Sequence, residues 1–333
     1  MSIAGMMDTI SWTLGSFPAK IVLAALFYLV LPRLLAALPQ KPQFAAKYLV
    51  FLFSCMLMSV VGIFVSLVCT ILGKRHLTNA LAARGFAYFA AGPLGIKFNV
   101  KGEERLDGTP AIFVCNHLSN VDIVAIGRIY PTHCAIMAKK ELMFVPFLGL
   151  FMRLSNVIFI DRKNHKKALE STAHAVAEMK KHNTGIFVFP EGTRSHLETP
   201  DMLPFKKGAF HLAIQSQYPI IPIVIEGYSH VYNSKRKAFP GGEIEVRILD
   251  PISTTGLTTD NLDDIMERTR SVMLKNLKEM DKSSSSRPTT RPIASLEEAE
   301  KLASPIEGKE AAALNKVDEN VYHEGFKKRR TGL

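Results

Sequence analysis

Cysteine is scarce in this chain, with four in 333 residues. Cys55 and Cys69 fall inside an apolar run, and Cys115 and Cys134 lie near apparent strands, a spacing that suggests neither a disulfide framework nor a Cys/His metal site. All four read as buried free thiols. No G-x-S-x-G occurs, so the nucleophile elbow of a serine hydrolase is missing. Zinc-finger, RRM and helix-turn-helix patterns are missing too, which leaves the net charge of +11 without a nucleic-acid explanation. The first seven residues carry no cationic side chain, which weighs against a cleaved secretory leader. No internal repeat is found.

Charge is absent from residues 48–73, a run of 26 positions. At about 1.5 Å per residue that is long enough to cross a hydrocarbon core of about 30 Å, and the spacing predicts a transmembrane helix. A second candidate, about 17–38, is interrupted by Lys20 and Arg33, and its uninterrupted apolar part, 21–32, is too short to span. It spans only if both cations snorkel; otherwise it lies in the interface or forms half of a hairpin. From Asp281 onward there are ten Lys/Arg against nine Asp/Glu, so nearly all of the positive excess belongs to residues 1–280. A basic domain held at a bilayer is drawn to anionic head groups and phosphorylated substrates. Lys74, Arg75 and Arg84 favour a cytosolic catalytic domain by charge bias, and Lys41 and Lys47 on the other flank oppose it.

Short β-branched or aromatic runs recur at 96–100, 111–115, 133–137, 157–160, 186–189, 220–225 and 244–249. Helix-like stretches separate several of them. In 166–181, Leu169, Ala173, Val176 and Met179 fall about one turn apart; in 260–280, Leu262, Ile265, Val272, Met273, Leu277 and Met280 do the same. The expected fold class is α/β, a mostly parallel sheet flanked by helices, with an N-terminal membrane-anchoring segment. The expected division is a membrane-anchoring region at 1–75, a catalytic domain at 76–281 and a mostly disordered polar tail at 282–333, where Ser/Pro/Thr-rich sequence holds too few large apolar residues for a core.

Two motifs follow apolar runs. Asn116-His117-Leu118-Ser119-Asn120-Val121-Asp122 places a histidine five residues before an aspartate. Phe189-Pro190-Glu191-Gly192-Thr193-Arg194-Ser195 follows the run at 186–189. In an open parallel sheet, ligands bind beyond the carboxyl ends of the strands, so both motifs fall on one edge. A neutral imidazole can take a proton from an alcohol, and Asp122 can fix its tautomer, with a substrate hydroxyl in the place of the triad serine. Gly192 lets a backbone N–H approach an oxyanion or phosphate, and Arg194 offers a planar fork for phosphate oxygens. Glu191 is assigned to a substrate hydroxyl or to orienting a cation. Lys139, Lys140, Arg162, Lys206 and Lys207 flank apparent strands or the second motif, and as a set they could neutralise a phosphate.

On these residues the chain resembles the glycerolipid acyltransferase family, and within it the lysophosphatidic acid acyltransferases of fungi. The family's first block falls on His117 and Asp122, its second on Phe159-Ile160-Asp161-Arg162, its third on the run from Phe189 to Ser195, and its fourth on Ile221-Pro222-Ile223. The resemblance covers roughly residues 73–280. It implies acyl transfer from acyl-CoA to the sn-2 hydroxyl of lysophosphatidic acid, giving phosphatidic acid, with acyl-CoA a co-substrate and no metal or bound cofactor required. By resemblance His117 is the general base and Asp122 orients it. Lys139, Arg162 and Arg194 hold the phosphate, Gly192 and Thr193 belong to the loop that shapes the site, and Pro222 lines it. The partners implied are lysophosphatidic acid, acyl-CoA and the lipid bilayer. The setting implied is an integral membrane protein of the endoplasmic reticulum, with the lipid droplet as alternative. Acylation of another lysophospholipid, such as lysophosphatidylinositol, and a non-catalytic membrane protein with this fold are the competing readings.

Overall fold

The computed structural model describes residues 30–106, 110–155, 157–160 and 165–285. A helical stretch at 30–37 is followed by α1 (Gln40–Ile71) and α2 (Thr78–Leu94). Then come β1 (Ile96–Lys101), β2 (Ile112–Cys115), α3 (Asp122–Ile129), β3 (Cys134–Lys139), α4 (Leu148–Leu154), β4 (Ile158–Ile160) and α5 (His165–His182). The remainder is β5 (Gly185–Val188), α6 (Gly208–Ser216), β6 (Ile220–Ile225), β7 (Gly242–Ile248) and α7 (Leu262–Ser285). All seven strand runs expected from the sequence form strands, within two residues at each end. Their order is β1-β7-β6-β2-β5-β3-β4. Every pairing is parallel except β6 with β7.

The central strands are buried on both faces, as their continuous apolar runs require. Alternate residues divide between two cores: Phe113, Cys115, Phe187, Ile221 and Ile223 face α1, α2 and α3, while Ile112, Val114, Ile186 and Val224 face α5, α6 and α7. In α5, Val176 and Met179 are buried as the periodicity predicts and Ala173 is exposed; the side chain of Leu169 lies outside the described residues. In α7 the stripe of Leu262, Ile265, Met273, Leu277 and Met280 is buried, and Val272, expected on that face, stays outside it.

The long apolar helix begins at Gln40 rather than near residue 48, and ends at Ile71. Lys47 does not stop it. Its ammonium is buried and donates to the carbonyls of Leu94 and Pro240, both at 2.8 Å, so the charge is absorbed by the protein body. The buried face is the polar or small one, Gln43, Lys47, Ser54, Ser59, Gly62, Ser66 and Cys69, joined by Phe51. Leu49, Phe53, Met56, Phe64, Val68 and Ile71 point away from the body. Ser54, Ser59, Ser66 and Thr70 return their hydroxyls to carbonyls one turn back at 2.6–2.8 Å, so no polar group on this helix is left to an apolar medium by those residues. By length and composition α1 is the one helix among the described residues able to cross a membrane. Of the possible segment at 17–38 only the end is described, and residues 286–333 lie outside the described residues.

Candidate active site

The topology brings the motifs together because β2 is flanked by β5 on one side and β6 on the other. The chain leaves β2 into the first motif, β5 into the second, and β6 into 226–228, all at the same sheet edge. Asn116 fastens the first loop: its side-chain amide donates to the carbonyl of Ile225 at 2.9 Å and accepts the Ile225 N–H at 2.8 Å. The second loop is stitched to the first by Ser195 N–H to His117 O (2.8 Å) and His196 N–H to Leu118 O (3.1 Å).

His117 Nδ1 lies 2.6 Å from Asp122 Oδ2. The imidazole stacks on Phe189 with centroids 3.9 Å apart and planes 18° apart, so the ring has one orientation. Its side chain is 15% exposed, enough to meet a substrate, whereas Asp122 is fully buried. Asp122 opens α3, and its Oδ2 also accepts the N–H groups of Leu118 (2.7 Å) and Ser119 (3.0 Å). The arrangement holds one tautomer, with the proton on Nδ1 and Nε2 left as the basic nitrogen.

Glu191 is a correction to the sequence reading. It is 2% exposed, and its two oxygens accept the backbone N–H groups of His117 (2.8 Å) and Leu203 (2.9 Å). It therefore braces the histidine loop instead of meeting a substrate hydroxyl. Burial pushes its carboxyl above the ordinary range, and the two backbone donors work against that rise. Gly192 has φ +71, a backbone angle that favours glycine, and a Cβ there would also stand 2.8 Å from the far end of the Lys206 side chain, which would have to move aside. Thr193 and Arg194 are exposed at the mouth. Arg194 is close enough to His196 for its charge, after burial, to lower that imidazole's pKa.

Lys139 ends β3 on the same edge, two strands from β2, is exposed, and pairs with Glu141 at 3.4 Å. Arg162 lies outside the described residues. Pro222 does not line the site: it is buried in the middle of β6 opposite Val114, about three residues below the level where Asn116 meets Ile225. A proline is tolerated in this central strand because the ladder with β7 covers only residues 223–225, and Pro222 itself takes part only as an acceptor, its carbonyl receiving the Leu249 N–H at 2.9 Å. Among the described residues no group of three or more His, Cys, Asp or Glu could hold a metal ion.

With this geometry in place, relatives can be compared. A family model described as Acyltransferase matches residues 97–226. A 1-acyl-sn-glycerol-3-phosphate acyltransferase of Saccharomyces cerevisiae is 40% identical over 270 residues, covering 79% of this chain and 89% of the relative. The chain belongs to the 1-acyl-sn-glycerol-3-phosphate acyltransferase family. Another member of that family, the human beta enzyme, is 38% identical over 71% of this chain and 83% of its own length. An uncharacterised acyltransferase of Schizosaccharomyces pombe is 42% identical over 67% and 80%. The crystal structure of the 1-acyl-sn-glycerophosphate (LPA) acyltransferase PlsC from Thermotoga maritima shares the fold with TM-score 0.61 at 23% identity, covering 77% of this chain and all of that one.

One residue of this acyltransferase site went unread in the sequence. Tyr228, three residues past the end of β6, donates its hydroxyl to Asp122 Oδ1. Its signal was position alone: an aromatic residue just beyond a buried strand, on the edge where the motifs meet. A small cleft of about 40 Å³ opens beside it, bordered by Ser119, His196, Tyr232, Asn233 and Lys235.

Proposed function

We propose that this protein transfers the acyl group of acyl-CoA to the sn-2 hydroxyl of 1-acyl-sn-glycerol-3-phosphate, forming phosphatidic acid. The observation that carries the reading is the His117–Asp122 pair, 2.6 Å apart, buried on the aspartate side and open on the histidine side. His117 Nε2 takes the proton of the acceptor hydroxyl as its oxygen attacks the thioester carbonyl. The tetrahedral oxyanion collapses, the C–S bond breaks, and the imidazolium returns the proton to the CoA sulfur, so no acyl-enzyme forms and the base is regenerated. Arg194, Lys139 and Arg162 hold the acceptor phosphate, and the Gly192–Thr193 turn shapes the loop next to the reacting centre. The names of the relatives support this acceptor.

The outward apolar face of α1 supports a membrane setting, since a helix that turns its polar residues inward and its leucines and phenylalanines outward is complementary to lipid. The compartment proposed is the endoplasmic reticulum, with the lipid droplet as alternative, to be decided by fractionation. The functional test is a membrane assay with labelled acyl-CoA against a panel of lysophospholipids. Preferential acylation of lysophosphatidic acid supports the reading. Preference for lysophosphatidylinositol reassigns the acceptor, and transfer to no acceptor removes the activity.

A further inference from the structure

Asp122 is a fully buried carboxylate, so its stability depends on donors. Oδ2 meets three: His117 Nδ1, and the N–H groups of Leu118 and Ser119. The donor on Oδ1 is the hydroxyl of Tyr228. A phenol has one proton, and here it is committed to Asp122. The contact between Tyr228 Oη and Ser119 Oγ at 2.8 Å must therefore run from serine to tyrosine, while Ser119 Oγ accepts the Val121 N–H at 3.1 Å. The hydroxyls form a directed chain from Ser119 through Tyr228 to Asp122. Tyr228 itself is 3% exposed and held in a tight turn, its carbonyl accepting the N–H groups of Val231 (2.9 Å) and Tyr232 (3.0 Å).

We infer that Tyr228 is a positioning residue for the catalytic pair: its hydroxyl fixes the plane of the Asp122 carboxylate and draws charge toward Oδ1, which sets how strongly Oδ2 supports a proton on His117. Without that hydroxyl the charge concentrates on Oδ2, the carboxylate gains rotational freedom, and the proton affinity of His117 rises. The other groups facing His117 are Glu191 on its backbone N–H and His196 across the loop, with Arg194 and Lys235 beside His196. None of these contacts is altered by deleting one phenolic oxygen. Burial keeps the phenol neutral, so it donates at every working pH.

The inference rests on the acyl-transfer reading for its kinetic consequence but not for its chemical one. The test uses Tyr228→Phe in the full chain, reconstituted in lipid nanodiscs. Expected is a fall in kcat of about ten- to a hundredfold, the factor attached to a lost hydrogen bond to a charged group, with KM little changed and the acidic limb of the pH–rate profile moved to higher pH. In parallel, the rate of His117 carbethoxylation by diethylpyrocarbonate, read by peptide mass spectrometry across pH, reports its proton affinity without any substrate, and its midpoint should rise. Ser119→Ala should move the same midpoint in the same direction by less. An unmoved midpoint in Tyr228→Phe, or a kcat within twofold of the unsubstituted protein, overturns the inference and makes Tyr228 a packing residue. If the unsubstituted protein acylates no acceptor and the midpoint still moves, the proposed activity falls and the positioning role stands.

Discussion

Asp122 at the floor of the site and Lys139 at its rim carry opposite charges and live under opposite conditions. Asp122 has no exposed surface and four donors on its two oxygens. Lys139 is 55% exposed and shares one 3.4 Å contact with a glutamate that is just as exposed. His117 and Glu191 belong with the floor; Thr193 and Arg194 belong with the rim. The difference follows from what each group is asked to do. A base must stay within hydrogen-bond reach of one proton, so its supports are buried, multiply bonded and short-ranged. A phosphate can be met by a mobile cation at several distances, and a hydrated lysine does this without losing its water. Floor residues should therefore govern kcat, and rim residues KM.

The largest effect should come from the floor. His117→Ala is expected to lower turnover by about 10²–10⁴, the range for a lost general base, and Asp122→Asn nearly as much, because an amide favours the wrong tautomer. Near-normal turnover in either folded variant would remove the distinction between floor and rim. Next comes Arg194→Ala, expected to raise KM for lysophosphatidic acid about tenfold or more while sparing kcat and the KM for acyl-CoA, with Arg194→Lys recovering part of the loss. A fall in kcat without a change in KM would move Arg194 to the floor.

Glu191→Gln probes the brace between the two loops. An amide accepts only one of the two backbone N–H groups, and one buried donor left unmet costs about 1–3 kcal/mol, readable by denaturant unfolding. The sign of its pH dependence follows from the raised carboxyl: its contribution to stability is complete below the ordinary carboxylate range and fades as pH rises through the raised value. The variant should lack that loss. Smallest should be Lys139→Ala, a modest rise in acceptor KM that disappears at high salt, because an exposed charge is screened. A salt-independent effect would show that Lys139 is enclosed when substrate is bound.

The strands, the parallel sheet and the His117–Asp122 pair were readable because each depends on near neighbours in sequence: alternation within a strand, or five residues within one loop. The start of α1 was misread because the rule that a lysine bounds an apolar helix assumes that its charge must reach water. Lys47 instead reaches Leu94 and Pro240, which are 47 and 193 positions away. Pro222 was given a lining role by resemblance although it falls inside the strand run at 220–225, and the register of β6 against β2 shows that it sits opposite Val114, below the edge where the motifs meet.

The two long helices show where that boundary falls. Periodicity alone determined that α7 is amphipathic and, Val272 apart, which stripe it buries, since water on the outside favours one orientation. Composition alone determined that α1 is apolar and long. Which face of α1 turns inward could be decided only by its partners, because an apolar exterior reverses the usual rule and lets serine, glycine and lysine pack against the body. The site divides in the same way. The sequence by itself marked the His117–Asp122 pair and Gly192, the glycine that the structure holds at φ +71. Only the tertiary structure decided that Glu191 holds the loop of the base and that Tyr228, 106 residues from Asp122, completes its carboxylate. Hydrogen bonds reach about 3 Å whatever the separation along the chain, and the pairing of β2 with β5 and β6 is what brings these groups within that distance.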